Sequence, residues 1–135
     1  PSGLKRVIPT IAKLLSFEKE WTLVFGCTPQ DDLESFAHPL LELCKKLPPS
    51  NILLTVPQTG RYRGVPLSEL VPLDWSCTEA VLQASTPQDV KPILEQLRPK
   101  YTLAIGSLYL IGELFETLGL YGSKHLELFS PNTQR

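Results

Sequence analysis

No apolar run in this chain reaches the length a membrane span needs, and no signal-peptide pattern is visible, so a cytoplasmic protein without membrane contacts is expected. Net charge is only −1, which gives no long-range field toward nucleic acid or an anionic lipid surface. The three cysteines, Cys27, Cys44 and Cys77, lack metal-ligand spacing and read as thiols of a reducing compartment. Nucleotide fingerprints are missing too. There is no G-x-x-x-x-G-K-[ST] loop, and no G-x-G-x-x-G comes after a strand-like run. No G-x-S-x-G elbow exists, which removes the usual hydrolase reading. The two histidines, His38 and His125, stand far apart with no evident carboxylate partner, and His38 falls on the solvent side of a predicted helix. Low-complexity tracts are absent, and the thirteen prolines are scattered.

What remains is a chain of 135 residues with 42% hydrophobic content, the size of one domain and sufficient for a core. Leu4, Val7, Ile8, Ile11, Leu14 and Leu15 recur at helical spacing, which predicts a helix over Ser2–Leu15 with Ser2 as cap. Pro9 predicts either a kink or a separate first turn there. Trp21–Phe25 is a β-rich run ending at Gly26. Thr28-Pro29-Gln30-Asp31 then offers an N-cap, a proline at the first helical position and a capping-box acid. Leu33, Phe36, Ala37, Leu40, Leu41 and Cys44 trace one face of the next helix. Asn51–Val56 is nearly continuously apolar, as suits a parallel strand covered on both faces. Gln58–Val65 is a polar, glycine-flanked loop holding Arg61, Tyr62 and Arg63, and Pro66–Leu70 is a single helical turn. Leu73–Cys77 is a weak strand candidate and Thr78–Ala84 a short helix. Thr86-Pro87-Gln88-Asp89 repeats the earlier tetrapeptide, and Val90, Ile93, Leu94 and Leu97 continue it as a helix.

The most informative stretch is Tyr101–Leu118. Tyr101–Ile105 has strand length, Gly106 and Ser107 form a tight turn, and Leu108, Ile111, Leu114, Phe115 and Leu118 return at helical spacing before Gly119. Ser107 is placed to cap that helix, and Gly106 permits close approach of a ligand. A helix N-terminus favours an anionic group. His125–Phe129 is either a short edge strand or a loosely docked tail. Strands alternating with helices predict one three-layer α/β domain of Rossmann-like type with a mostly parallel sheet. Its crevice is expected at the carboxyl ends of the strands: Gly26-Cys27-Thr28, Pro57–Gly64 and Gly106-Ser107. Cys27 at a strand end is read as a structural thiol, since no basic partner lies nearby in sequence. Asp31 and Asp32 are read as serving a helix N-terminus; no role is assigned to Asp74.

Gly106-Ser107-Leu108-Tyr109-Leu110-Ile111-Gly112-Glu113 resembles the last strand–helix unit of the folylpolyglutamate synthase and dihydrofolate synthase family, relatives of the Mur ligases. WTLVFG at 21–26, NILLTV at 51–56 and PLSEL at 66–70 are similar to earlier units of the family's C-terminal domain, so the resemblance covers nearly the whole chain. It departs where relatives often carry a Lys-Asp pair near Asp31-Asp32. The chain opens at Pro1-Ser2-Gly3, with the Asp-Gly-Ala-His-Asn part of a family segment absent before it, so a fragment of a longer enzyme is expected. The resemblance implies residues 1–120 as a Mur-ligase-type C-terminal domain and 121–135 as a tail. It implies a parent enzyme in which ATP and Mg2+ activate a carboxylate of dihydropteroate or folate as an acyl phosphate, which the amino group of L-glutamate attacks. The partner is an N-terminal P-loop ATPase domain of the same parent chain. Ser107 with Gly106 matches the glutamate-binding position, and Arg63 is a further candidate. No catalytic residue or metal ligand falls to this chain, which alone is expected to bind no cofactor and to be inactive. The alternative is a free-standing, non-catalytic Rossmann-like binding or interaction module. A Mur ligase of cell-wall synthesis fits the wording of 106–113 less well.

Overall fold

A computed structural model describes residues 2–16, 20–59, 63–106 and 126–129. The opening stripe forms one continuous helix, α1 (Ser2–Leu15), with exposed Pro9 inside it. An interior proline costs about 3 kcal/mol. Leu4, Val7, Ile11 and Leu15 are all buried, and each stabilises by roughly 1.5–3 kcal/mol. The burial outweighs the proline, so the helix survives it.

β1 (Thr22–Gly26) leads to α2 (Leu33–Lys46), then β2 (Asn51–Thr55), the single turn α3 (Leu67–Leu70) and β3 (Val81–Ala84). A 3₁₀ turn (Pro87–Asp89) runs into α4 (Val90–Leu97), and β4 (Thr102–Gly106) and β5 (Leu126–Phe129) complete the order. All five strands pair in parallel in the order β3-β2-β1-β4-β5. The fold is thus the expected three-layer, Rossmann-like α/β arrangement. Of the two alternatives for the last segment, the edge strand is the one observed.

Alternate residues of the strands feed two cores. Leu23, Phe25, Ile52, Leu54, Leu103 and Ile105 pack with α1, α2, Leu70 and Trp75. Val24, Leu53, Ala84 and Ala104 pack with Val90 and, less deeply, with Ile93, Leu94 and Leu97 of α4. The helices change faces because the chain runs outward from β1 to β3 and then crosses back over to β4. A right-handed crossover in the reversed direction lands on the opposite side of the sheet.

Three local expectations are corrected. Thr28-Pro29-Gln30-Asp31 does not start a helix; α2 begins four residues beyond Pro29, capped by Asp32. Asp32 Oδ1 accepts from the Ser35 N–H at 3.2 Å, and its Oδ2 accepts from the Ser35 hydroxyl at 2.7 Å. Leu73–Cys77 is turn rather than strand. Trp75 Nε1 donates to the Leu70 carbonyl at 2.8 Å, and Asp74 Oδ1 accepts from the Ser76 N–H at 3.3 Å, an Asx-type turn. The third strand lies instead at Val81–Ala84, inside the segment Thr78–Ala84 expected to be helical. There it finds backbone partners along β2, from Ile52↔Val81 to Thr55↔Ala84.

Candidate functional site

The chain passes from β1 outward through β2 and β3, then jumps to the other side of β1 for β4 and β5. The order therefore reverses between β1 and β4, the switch point at whose carboxyl ends open α/β sheets bind ligands. The register makes this rung distinctive. Gly26 of β1 stands opposite Gly106 of β4, so the last level of the central pair carries no side chains. Backbone groups at that level are open to close approach. Gly106 is buried and is the last residue of β4, one residue beyond the strand end expected at Ile105. Ser107 and the predicted helix 108–118 lie outside the described residues, as do Arg61, Tyr62 and His125.

Arg63 reaches the same edge by a different route. Beyond β2 the chain returns so that the Val65 N–H donates to the Cys27 carbonyl at 2.9 Å, pinning the segment to the end of β1. Gly64 lies so close to β2's continuation that a Cβ on it would meet Pro57 Cδ at 2.7 Å, the Pro57 carbonyl at 2.8 Å and Val56 Cγ1 at 2.8 Å. Arg63, exposed, sits directly before this tight contact. Gln58 Nε2 donates to the Val56 carbonyl at 2.8 Å, a second constraint on the end of β2. The structure thus brings Arg63 and Gly106 to one edge of the sheet, with the end of β1 between them. The roles of Gly64 and Gly26 were not read from the sequence. The signal for Gly64 was its position after the arginines in a loop already flanked by Gly60; the Gly26 rung needs the register.

The chemistry of the neighbouring groups is sorted by burial. Cys27 is 1% exposed, and burial, with the Glu69 charge adding to it, pushes its thiol up to about 12. At neutral pH it is a protonated, inert thiol, in keeping with its reading as structural. At the N-terminal end of α2 a depression of about 430 Å3 is lined by acidic side chains, among them Asp31, Asp32, Glu34 and Glu69. That field disfavours a carboxylate in the depression itself. Asp74 pairs with Lys45 at 2.9 Å, which together with Ser76 holds its carboxyl down to about 2. His38 is exposed on α2, as expected of an ordinary surface residue. Among the described residues no three His, Cys, Asp or Glu side chains come together as a metal site.

These features define a class: a parallel, Rossmann-like α/β domain whose switch point is lined by Gly26 and Gly106, with exposed Arg63 at the same end of the sheet. Among the described residues no helix is long and apolar enough to cross a membrane. Comparison with protein-family models, with curated proteins and with solved structures gave no match.

Proposed function

We propose that this chain is the C-terminal domain of an ATP-dependent amide ligase that adds L-glutamate to dihydropteroate or folate. The observation that carries the reading is the coincidence of two independent features at one place. The segment most similar to the folylpolyglutamate synthase and dihydrofolate synthase family begins at Gly106, and Gly106 ends β4 at the switch point, opposite Gly26. In this reading Gly106 and Ser107 receive a carboxylate of glutamate, and Arg63 adds a guanidinium to the rim. The chain's contribution is to hold glutamate with its amino group turned outward, toward an acyl phosphate presented by a second domain. Attack on that carbonyl forms the amide and releases phosphate. The phosphate-binding loop, ATP and magnesium belong to the N-terminal domain of the parent chain. The described residues offer no cluster suited to the metal, and the sequence offers no such loop.

The test uses the full-length parent enzyme. Ser107→Ala should raise the apparent KM for glutamate about tenfold, the loss of one hydrogen bond to a charged group, while the KM for ATP stays within about twofold. An unchanged glutamate constant removes Ser107 from the site. Arg63→Gln should act in the same direction and more weakly, because Arg63 is exposed.

A further inference from the structure

Two cysteines that the ligase reading does not use lie on adjoining segments, one in the larger core and one packed against it. Cys44 projects from the C-terminal half of α2 into the larger core and is fully buried; Cys77 comes after the turn at Trp75 and packs on that core while remaining partly exposed. The two side chains are close enough to act on each other's titration, Cys77 raising Cys44 and Cys44 lowering Cys77. A separate contact fixes the same two segments beside each other: Lys45, next to Cys44, pairs with Asp74, three residues before Cys77, at 2.9 Å. Below Cys77, the Thr78 hydroxyl donates to the Ser50 carbonyl at 3.4 Å, at the amino end of β2. The pair is therefore remote from the carboxyl edge of the sheet.

From this geometry we infer that Cys44 and Cys77 are a disulfide-forming pair, a site of reversible oxidation by a hydroperoxide that staples the β2–β3 crossover to α2. The roles of the two sulfurs are set by their surroundings. Cys77 is the one solvent reaches, and Cys44 and Lys45 both favour its thiolate; burial and Asp74 oppose that, so attack quickens as pH rises. Cys44, held protonated by burial and by its neighbour, responds second. The Cys77 thiolate attacks the distal peroxide oxygen; an S–O bond forms, the O–O bond breaks, and hydroxide leaves to become water. The Cys44 sulfur then attacks Cys77; the S–S bond forms, the S–O bond breaks, and the departing hydroxide takes the Cys44 proton as a second water. Two thiols are oxidised by two electrons, and one hydrogen peroxide is reduced to two waters.

The experiment treats the chain with hydrogen peroxide at mildly alkaline pH, denatures it, alkylates free thiols and measures the intact and peptide masses. The expected result is that alkylation falls from three thiols to one, retained on Cys27, with a cross-linked peptide joining Cys44 to Cys77. Dithiothreitol should return all three. Three alkylated thiols after peroxide, an intermolecular dimer through Cys77, or a sulfinic acid on Cys77 beside a free Cys44 would each overturn the inference. Cys77→Ser, at a partly exposed turn, should leave Cys44 fully alkylated after peroxide; oxidation of Cys44 in that variant would refute the assigned order of attack. Cys44→Ala should leave Cys77 as a sulfenic acid that dimedone traps. Neither readout depends on ligase activity, so failure here leaves the proposed function standing and the reverse also holds.

Discussion

A methyl group on Gly64 has no room. Its Cβ would lie under 3.0 Å from backbone and ring atoms of Pro57 as well as from Val56. Gly64→Ala should therefore destabilise by roughly 1–3 kcal/mol as the segment is pushed off the end of β2. Urea unfolding measures the loss, and faster amide exchange at Val65, whose N–H is bonded to Cys27, locates it. Thr22 presents the opposite case. The residue is 1% exposed, and its hydroxyl has no hydrogen-bond partner among the described residues. Folding strips that hydroxyl of water and returns nothing, so Thr22→Val should stabilise by about 1 kcal/mol, read as a rise in the urea midpoint with unchanged slope. At this scale buried polar atoms cost more than the polar character of their residue type suggests, and only coordinates reveal which atoms those are.

The two copies of Thr-Pro-Gln-Asp show how far an element's start depends on the residues just beyond it. At 86–89 the tetrapeptide opens a helix: the Thr86 hydroxyl donates to Asp89 Oδ2 at 3.1 Å, and Pro87 takes the first position of the 3₁₀ turn that α4 continues. At 28–31 the same letters remain loop, with Gln30 Nε2 turned back to the Thr28 carbonyl at 2.9 Å, because Asp32 caps α2 through Ser35. Asp32→Ala should lower the thermal midpoint, whereas Thr28→Ala should leave it nearly unchanged; the reverse pattern would restore the sequence-based assignment. Asp32 is held below the usual carboxylate range by Ser35, so its contribution is present above that range and fades as pH falls through the lowered value. Asp74 behaves alike over a wider span, since Lys45 and Ser76 hold it down to about 2. Asp74→Asn should flatten the acid limb of the stability profile between about pH 2 and 4, and only slightly, because the pair is exposed and screened.

For the whole molecule, the ligase reading predicts a domain that folds and does no chemistry alone. Mixing the isolated chain with ATP, folate and L-glutamate should release ADP no faster than background; release above background would show that it carries a phosphate site of its own. The alternation of apolar runs and helical stripes was enough to determine a parallel α/β architecture, strands within a residue of the observed 22–26 and 51–55, and the faces of α1, α2 and α4. Those features are written in local periodicity, and burial of roughly 1.5–3 kcal/mol per large apolar side chain overrides single misfits such as Pro9. The end of β4 was legible to within one residue, at Ile105 where the strand in fact runs to Gly106. What the tertiary structure decided was everything fixed by partners distant in sequence. Val81–Ala84 becomes a strand because β2 supplies a hydrogen-bonding edge, Gly26 meets Gly106 because β4 returns beside β1, and Cys44 meets Cys77 because a crossover folds onto a helix. None of these pairs lies within one turn or one hairpin, so no window of neighbouring residues contains the interaction that selects it.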